Sequence, residues 1–364
     1  MSKPVRVLVV DDSALMRKMI PQILERDSSI QVVGTAMDGS FGLKKIAELR
    51  PDVVTLDLEM PRMDGMEMLR QITRIHRIPA IIVSAHSTAG ASATFKALAL
   101  GAFDFVAKPR DAAQANLEAI SRELISKVKV AAETGVPKYV APAGTFQSGV
   151  MRVKKSSPRI GSAPTKIVAI GISTGGPNAL QYVLSQLPSD FPGAILVVQH
   201  MPEGFTEMFA RRMNECCSID VKEARSGDLV TAGRVLICPG NRHMRLRRAP
   251  LGSMVVLSDE PQVNGHRPSV DVLFRSVALE CGSNSLALIM TGMGEDGADA
   301  MGAVKAAGGM TLAQDEQSCI VFGMPKAAIE RGHIMRVVPL DALANTLIAQ
   351  CAPERRAQAA EVTS

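Results

Sequence analysis

The chain has 364 residues, 46% of them hydrophobic and 21% charged, with a formal net charge of +5. This is the composition of a globular protein long enough for two domains, and no apolar run reaches the roughly 20 residues that a membrane-spanning helix needs. Six scattered cysteines form no C-x-x-C pair, so neither a disulfide framework nor a zinc site is expected, and with two tyrosines, ten phenylalanines and no tryptophan there are few platforms for base stacking. The short basic runs Lys154-Lys155, Arg211-Arg212 and 242–248 read as solvated faces, and no nucleic-acid partner is expected. Met1-Ser2-Lys3-Pro4 leads straight into a strand without an export signal, and the expected compartment is a reducing cytoplasm.

Segments 5–10, 30–36, 53–56, 80–83 and 103–106 are short apolar runs separated by amphipathic helical stretches. This alternation predicts a parallel sheet covered by helices over residues 1–130, with its functional crevice at the carboxyl ends of the strands. Asp11 and Asp12 follow the first strand, Asp57 ends the third, Ser84 ends the fourth, and Lys108 follows the fifth. Three carboxylates in one crevice repel one another unless a cation neutralises them, and an all-oxygen donor set suits Mg2+. A lysine and a hydroxyl beside them suit the oxygens of a phosphoryl group. Taken singly, Asp11 or Asp12 reads equally as a helix cap and Lys108 as a solvated loop residue; their joint placement on strand ends favours a site.

These residues lie in motifs that resemble the response-regulator receiver domain over its whole length. The motifs are Val-Asp-Asp-Ser (10–13), Asp-Leu-Glu-Met-Pro-Arg-Met-Asp-Gly (57–65), Ser84-Ala85 and Phe-Val-Ala-Lys-Pro (105–109). The resemblance implies that Asp57 accepts a phosphoryl group from a histidine kinase. It also implies that Asp11, Asp12, Asp57 and the backbone carbonyl of Glu59 hold Mg2+, with Ser84 and Lys108 on the phosphoryl group. Phe105 occupies the position of the family's aromatic switch residue, and reads equally as core.

Between 131 and 165 the periodicity fades into Gly, Pro, Ser and Lys, which predicts a flexible linker. Residues 166–350 alternate again. Strands are predicted at 166–170, 194–198, 234–237, 286–290 and 310–313, and helices at 180–187, 204–214, 270–281, 298–307 and 341–349. A hairpin inserted at 244–248 and 254–257 interrupts the pattern. The expected product is a second doubly wound, Rossmann-like parallel sheet, followed by a polar tail at 351–364.

Gly-Ile-Ser-Thr-Gly-Gly (171–176) lies between the first of these strands and a helix. A serine between glycines at a strand-to-helix turn suits a nucleophile, because the glycines permit a sharp turn that presents the hydroxyl. A serine needs a base, and His200 sits just past the second strand; the base needs a carboxylate to orient it, and Asp296 lies in the loop after 286–290. His243, His266 and His333 are alternative bases, and Asp315 and Glu295 alternative orienting groups. The order Ser…His…Asp disfavours the α/β-hydrolases, and Ser173 in place of a second glycine disfavours dinucleotide binding.

Gly171–Pro177, Gln199-His200-Met201-Pro202, 232–243, Arg-Pro-Ser-Val-Asp (267–271), Thr291–Gly297 and Gly323-Met324-Pro325 together resemble the chemotaxis protein-glutamate methylesterase family. The resemblance implies a Ser173, His200, Asp296 triad, with Thr174 and Met293 lining the oxyanion and substrate region. It implies hydrolysis of glutamate γ-methyl esters on membrane chemoreceptors, glutamine deamidation by the same route, no cofactor for the ester chemistry, and control by phosphorylation. A non-catalytic receptor-binding adaptor or phosphate sink is the alternative.

Overall fold

The computed structural model describes residues 3–85, 87–108, 114–136 and 162–353. Residues 137–161, most of the expected linker with Lys154-Lys155, lie outside the described residues, as do Pro109 and 354–364 of the expected tail.

The first sheet is built from β1 (Val5–Val10), β2 (Ile30–Ala36), β3 (Val53–Leu56), β4 (Ala80–Ser84) and β5 (Asp104–Ala107). All neighbours pair in parallel in the order β2-β1-β3-β4-β5. Helices α1 (Ala14–Leu24), α2 (Gly39–Leu49), α3 (Gly65–Gln71), α4 (Thr88–Ala99) and α5 (Gln114–Thr134) cover it. The strand order reverses between β1 and β3, so the residues following them share one crevice. Ser13 caps α1 through its hydroxyl, which accepts from Met16 N–H, so the two preceding aspartates are not spent on that cap.

The second sheet has seven parallel strands. In chain order its half of the molecule comprises β6 (Ile167–Ile172), α6 (Gly176–Ser185), β7 (Ala194–Gln199), α7 (Phe205–Cys216), β8 (Asp220–Glu223) and β9 (Arg234–Ile237). The hairpin β10 (His243–Ala249) and β11 (Gly252–Ser258) follows, then α8 (Val270–Cys281), β12 (Ser285–Ile289), α9 (Ala298–Ala306) and β13 (Met310–Gln314). The series closes with α10 (Met324–Glu330), β14 (Arg336–Val338) and α11 (Leu340–Cys351). The order β14-β13-β12-β6-β7-β9-β8 makes this sheet doubly wound too, with its reversal between β6 and β12. Its central strands are apolar runs, buried on both faces as parallel strands under helices require. The hairpin stands apart from the sheet and is tied to α8 by the Leu246 N–H to Ser276 Oγ bond.

The two halves meet through aromatic rings. Phe105 stacks on Phe205 of α7 at 4.9 Å between centroids, and Phe95 of α4 stacks on Phe209 at 5.4 Å. Asn178 Nδ2 donates to Leu98 O at 2.9 Å, and Ile320 and Val321 pack on the apolar cluster under α5.

Candidate functional site

Ser173, His200 and Asp296 each follow a central strand of the second sheet: β6, β7 and β12. The strand reversal between β6 and β12 therefore sets the nucleophile candidate beside the carboxylate candidate, with the histidine on the other flank. Backbone bonds tie the three loops together: Ser173 N–H reaches Thr291 O at 3.0 Å and His200 N–H reaches Ile172 O at 3.1 Å. Gly175 adopts φ +75° at the end of the serine turn, a left-handed conformation that a side chain disfavours.

His200 Nε2 lies 2.9 Å from Asp296 Oδ2, with both side chains nearly buried. Asp296 accepts four further bonds: Ser269 Oγ–H at 2.7 Å, Val270 N–H at 2.7 Å, Asp271 N–H at 3.3 Å and Asn264 Nδ2–H at 3.1 Å. Burial by itself would raise the Asp296 pKa. The bond to His200, the charge on that ring and the surrounding donors outweigh it and hold the carboxyl well below the usual range. An anionic Asp296 fixes the proton of His200 on Nε2. Nδ1 is then the basic nitrogen, and it is buried without a hydrogen-bond partner among the described residues.

Of the alternative groups, only His266 joins this site. Its ring lies parallel to that of His200, 3.9 Å between centroids at 5°. Burial, then the neighbouring His200, pushes its pKa down to about 4, so it is neutral at ordinary pH. His243 is fully buried between Pro261 O and Ser269 N–H, and His333 bonds Ala298 O. Asp315 is engaged by Ser318, and exposed Glu295 pairs with Arg331.

Thr174 is buried, and its carbonyl accepts from Thr291 Oγ1 at 3.0 Å. Met293 sits in the loop before Asp296, where its sulfur accepts from Ser126 Oγ of α5 at 2.9 Å. The sequence reading did not single out Asn264, Ser269 or Asp271 as site residues. Val263–His266 is a tight turn with Asn264 at φ +53° and Gly265 at φ +75°, closed by reciprocal backbone bonds between Val263 and His266. The Asn-Gly pair was the available signal, since it marks such a turn. One end of this turn presents the Asn264 amide to both Asp296 and Asp271, and the other lays His266 on His200.

In the first sheet, carboxylate atoms of Asp11, Asp12 and Asp57 lie within 4.8 Å of one another. Lys108 Nζ stands 2.6 Å from Asp57 Oδ2 and 2.9 Å from Asp11 Oδ2. Burial raises the Asp11 pKa against the pull of Lys108. Burial lowers that of Lys108, but bonding to Asp57 and Asp11 more than compensates and keeps it cationic. Apart from the Lys108 ion pair, Asp11 Oδ2 is buried with no hydrogen-bond partner among the described residues, and the hard-oxygen donor set fits a small divalent cation. Glu59 N–H donates to Asp57 Oδ1 at 3.3 Å. The Ser84 hydroxyl is turned to Gly90 O of α4 at 3.2 Å. Phe105 is buried at the junction of the halves, where Lys127 Nζ donates to its carbonyl at 2.6 Å.

Residues 168–347 match the family description "CheB methylesterase", and residues 7–120 match "Response regulator receiver domain". The protein-glutamate methylesterase/protein-glutamine glutaminase 2 of Koribacter versatilis is 66% identical over 356 residues, which cover 97% of this chain and 98% of that protein. A protein-glutamate methylesterase/protein-glutamine glutaminase of Symbiobacterium thermophilum is 45% identical over 95% of this chain and 96% of its own length. The crystal structure of the Thermotoga maritima CheB methylesterase catalytic domain, 40% identical, matches with a TM-score of 0.51 over 52% of this chain and 100% of that one. The chain belongs to the CheB methylesterase family, with a response regulator receiver domain ahead of its methylesterase domain.

Proposed function

We propose that the chain hydrolyses γ-methyl esters of glutamate side chains on membrane chemoreceptors, releasing methanol, and deamidates receptor glutamines by the same acyl route. Ser173 attacks the carbonyl carbon while His200 Nδ1 takes its proton, and Asp296 stabilises the imidazolium through Nε2–H. Backbone N–H groups around Thr174 and Met293 receive the oxyanion, a contribution of about 3 kcal/mol per donor in such sites. His200 returns its proton to the leaving methoxide, then takes a proton from a water that attacks the acyl carbon and passes it to Ser173 Oγ as the glutamate is released. The ester chemistry uses these side chains and needs no cofactor.

The observation that carries this reading is the His200–Asp296 contact at 2.9 Å, which leaves Nδ1 of the same ring as a base with no hydrogen-bond partner among the described residues. An adaptor or phosphate sink has no use for a buried carboxylate surrounded by five donors. Methanol release from methylated receptor membranes tests it: Ser173→Ala should lose activity by on the order of 10³-fold or more. Equal rates for the two proteins would overturn the esterase mechanism.

In the receiver, Asp57 is the phosphoryl acceptor and a histidine kinase the donor. Asp11, Asp12, Asp57 and the Glu59 carbonyl would hold Mg2+, which when bound offsets charge on the incoming phosphoryl oxygens. Lys108 already lies against Asp57 and is placed to pair with those oxygens, and Ser84 would have to turn from Gly90 to join it. Among the described residues no helix is long and apolar enough to cross a membrane. The division into a receiver (1–130), a linker (131–165), a catalytic domain (166–350) and a tail is part of the same proposal.

A further inference from the structure

Gln199 ends β7 and is 3% exposed. The ladder between β6 and β7 stops where Ile172 faces Gln199, and only the His200 N–H to Ile172 O bond extends it. Past that point the strands part, one into the serine turn and the other into the histidine loop. The Gln199 carboxamide spans the opening, with Nε2 donating to Ser173 O at 3.0 Å and to His200 O at 3.2 Å. These partners fix the amide's orientation, because the reversed amide would aim its oxygen at two carbonyl oxygens.

The other end of the amide has no such reward. Oε1 is buried without a hydrogen-bond partner among the described residues, and it lies against Gly176, where a Cβ would stand 2.1 Å from it. A side chain at 176 would therefore meet the Gln199 amide first and Ile172 Cγ1 next, at 2.8 Å. Leucine or methionine would fill similar space without burying an unpaired oxygen, so packing alone does not account for an amide here.

We propose that Gln199 is a positioning residue for the ester chemistry, setting the oxyanion donor and the spacing of nucleophile and base; the inference rests on the Ser173, His200, Asp296 reading. The Ser173 carbonyl and the Thr174 N–H belong to one planar trans peptide and point in opposite directions. Bonds from Gln199 Nε2 and from Gly176 N–H at 2.8 Å fix that carbonyl, and with it the direction of the Thr174 N–H. The second Gln199 bond anchors the His200 peptide to the same amide. An interaction that orients groups used in the transition state acts on kcat rather than KM.

Kinetics of methanol release from chemoreceptor membranes with radiolabelled methyl esters, using the full chain, tests this. Gln199→Met keeps the volume and removes both donors, and kcat should fall roughly 10- to 100-fold with KM within about twofold and Tm little changed. Gly176→Ala, whose methyl has to displace the same amide, should show the same kcat-selective loss even if Gln199→Met fails to fold. Retained kcat in a folded variant, or a loss lying in KM, overturns the proposal. Hydrogen exchange of segment 172–176, measured with Ser173→Ala as background, separates the two levels. Faster exchange in Gln199→Met is expected, and unchanged exchange refutes the clamp whatever the fate of the esterase reading. Activity retained by Ser173→Ala itself sinks that reading alone.

Discussion

Asp296 gathers its donors from three places: His200 after β7, Asn264 in the Asn-Gly turn, and Ser269, Val270 and Asp271 at the start of α8. Surroundings made only of donors keep the carboxylate charged and force one tautomer on His200. Asp296→Asn preserves the shape but places an amide NH2 against N–H and O–H donors and removes the charge opposite the imidazolium. It should lower kcat by on the order of 10³- to 10⁴-fold with little change in KM, read from methanol release. The triad candidates were legible because each follows a strand that reads as an unbroken apolar run, which locates its carboxyl end. Asn264 and Ser269 were not, because their roles depend on which loops the sheet order brings to Asp296, and residue spacing does not carry that information. His266 was only one of three alternative bases, and nothing local announced a ring stacked on His200.

That stack belongs to an element, the turn Val263–His266, and it carries a titration signature. The His266 pKa falls from 6.5 to about 4 on folding, chiefly by burial. Between those values the unfolded chain binds the proton and the native chain does not, so native stability rises with pH across this window and declines as pH falls from 6.5 toward 4. The loss should approach about 3 kcal/mol at the acid end. His266→Phe keeps a flat ring on His200 without a titrating group, and urea unfolding at several pH values should show that part of the slope gone. A slope unchanged by the substitution would contradict the assignment. Among larger elements, interior strands were found to within two residues, whereas edge strands β8 and β14 and the seven-residue α10 escaped. The reason is physical: Asp-Val-Lys-Glu and Arg-Val-Val are only partly covered and lack the apolar run of a buried strand, whereas β5, also at a sheet edge, is buried along its length and apolar from Phe105 to Ala107.

At the scale of the whole molecule, the receiver touches the esterase half where both have something to transmit. Phe105, in the second of the four residue pairs of the β4–β5 ladder and three residues before Lys108, stacks on Phe205, while Ser126 bonds Met293 in the loop before Asp296. The receiver thus contacts the rim of the candidate active site itself, a placement that no sequence pattern encodes because it depends on two independently folded surfaces meeting. If this docking holds back the unphosphorylated enzyme, weakening it should release activity without a phosphoryl donor. Phe95→Ala removes a stacked contact to Phe209 and an edge contact to Phe205, a loss of about 1 kcal/mol that shifts a docked–undocked balance roughly fivefold. Methanol release by the unphosphorylated variant should rise by about that factor, and the ratio of rates with and without a phosphoryl donor should shrink. A rate at or below wild type, in a variant whose urea unfolding shows both halves intact, would mean that the interface assembles the active enzyme rather than covering it. The direction of that one change therefore distinguishes a receiver that occludes from a receiver that activates.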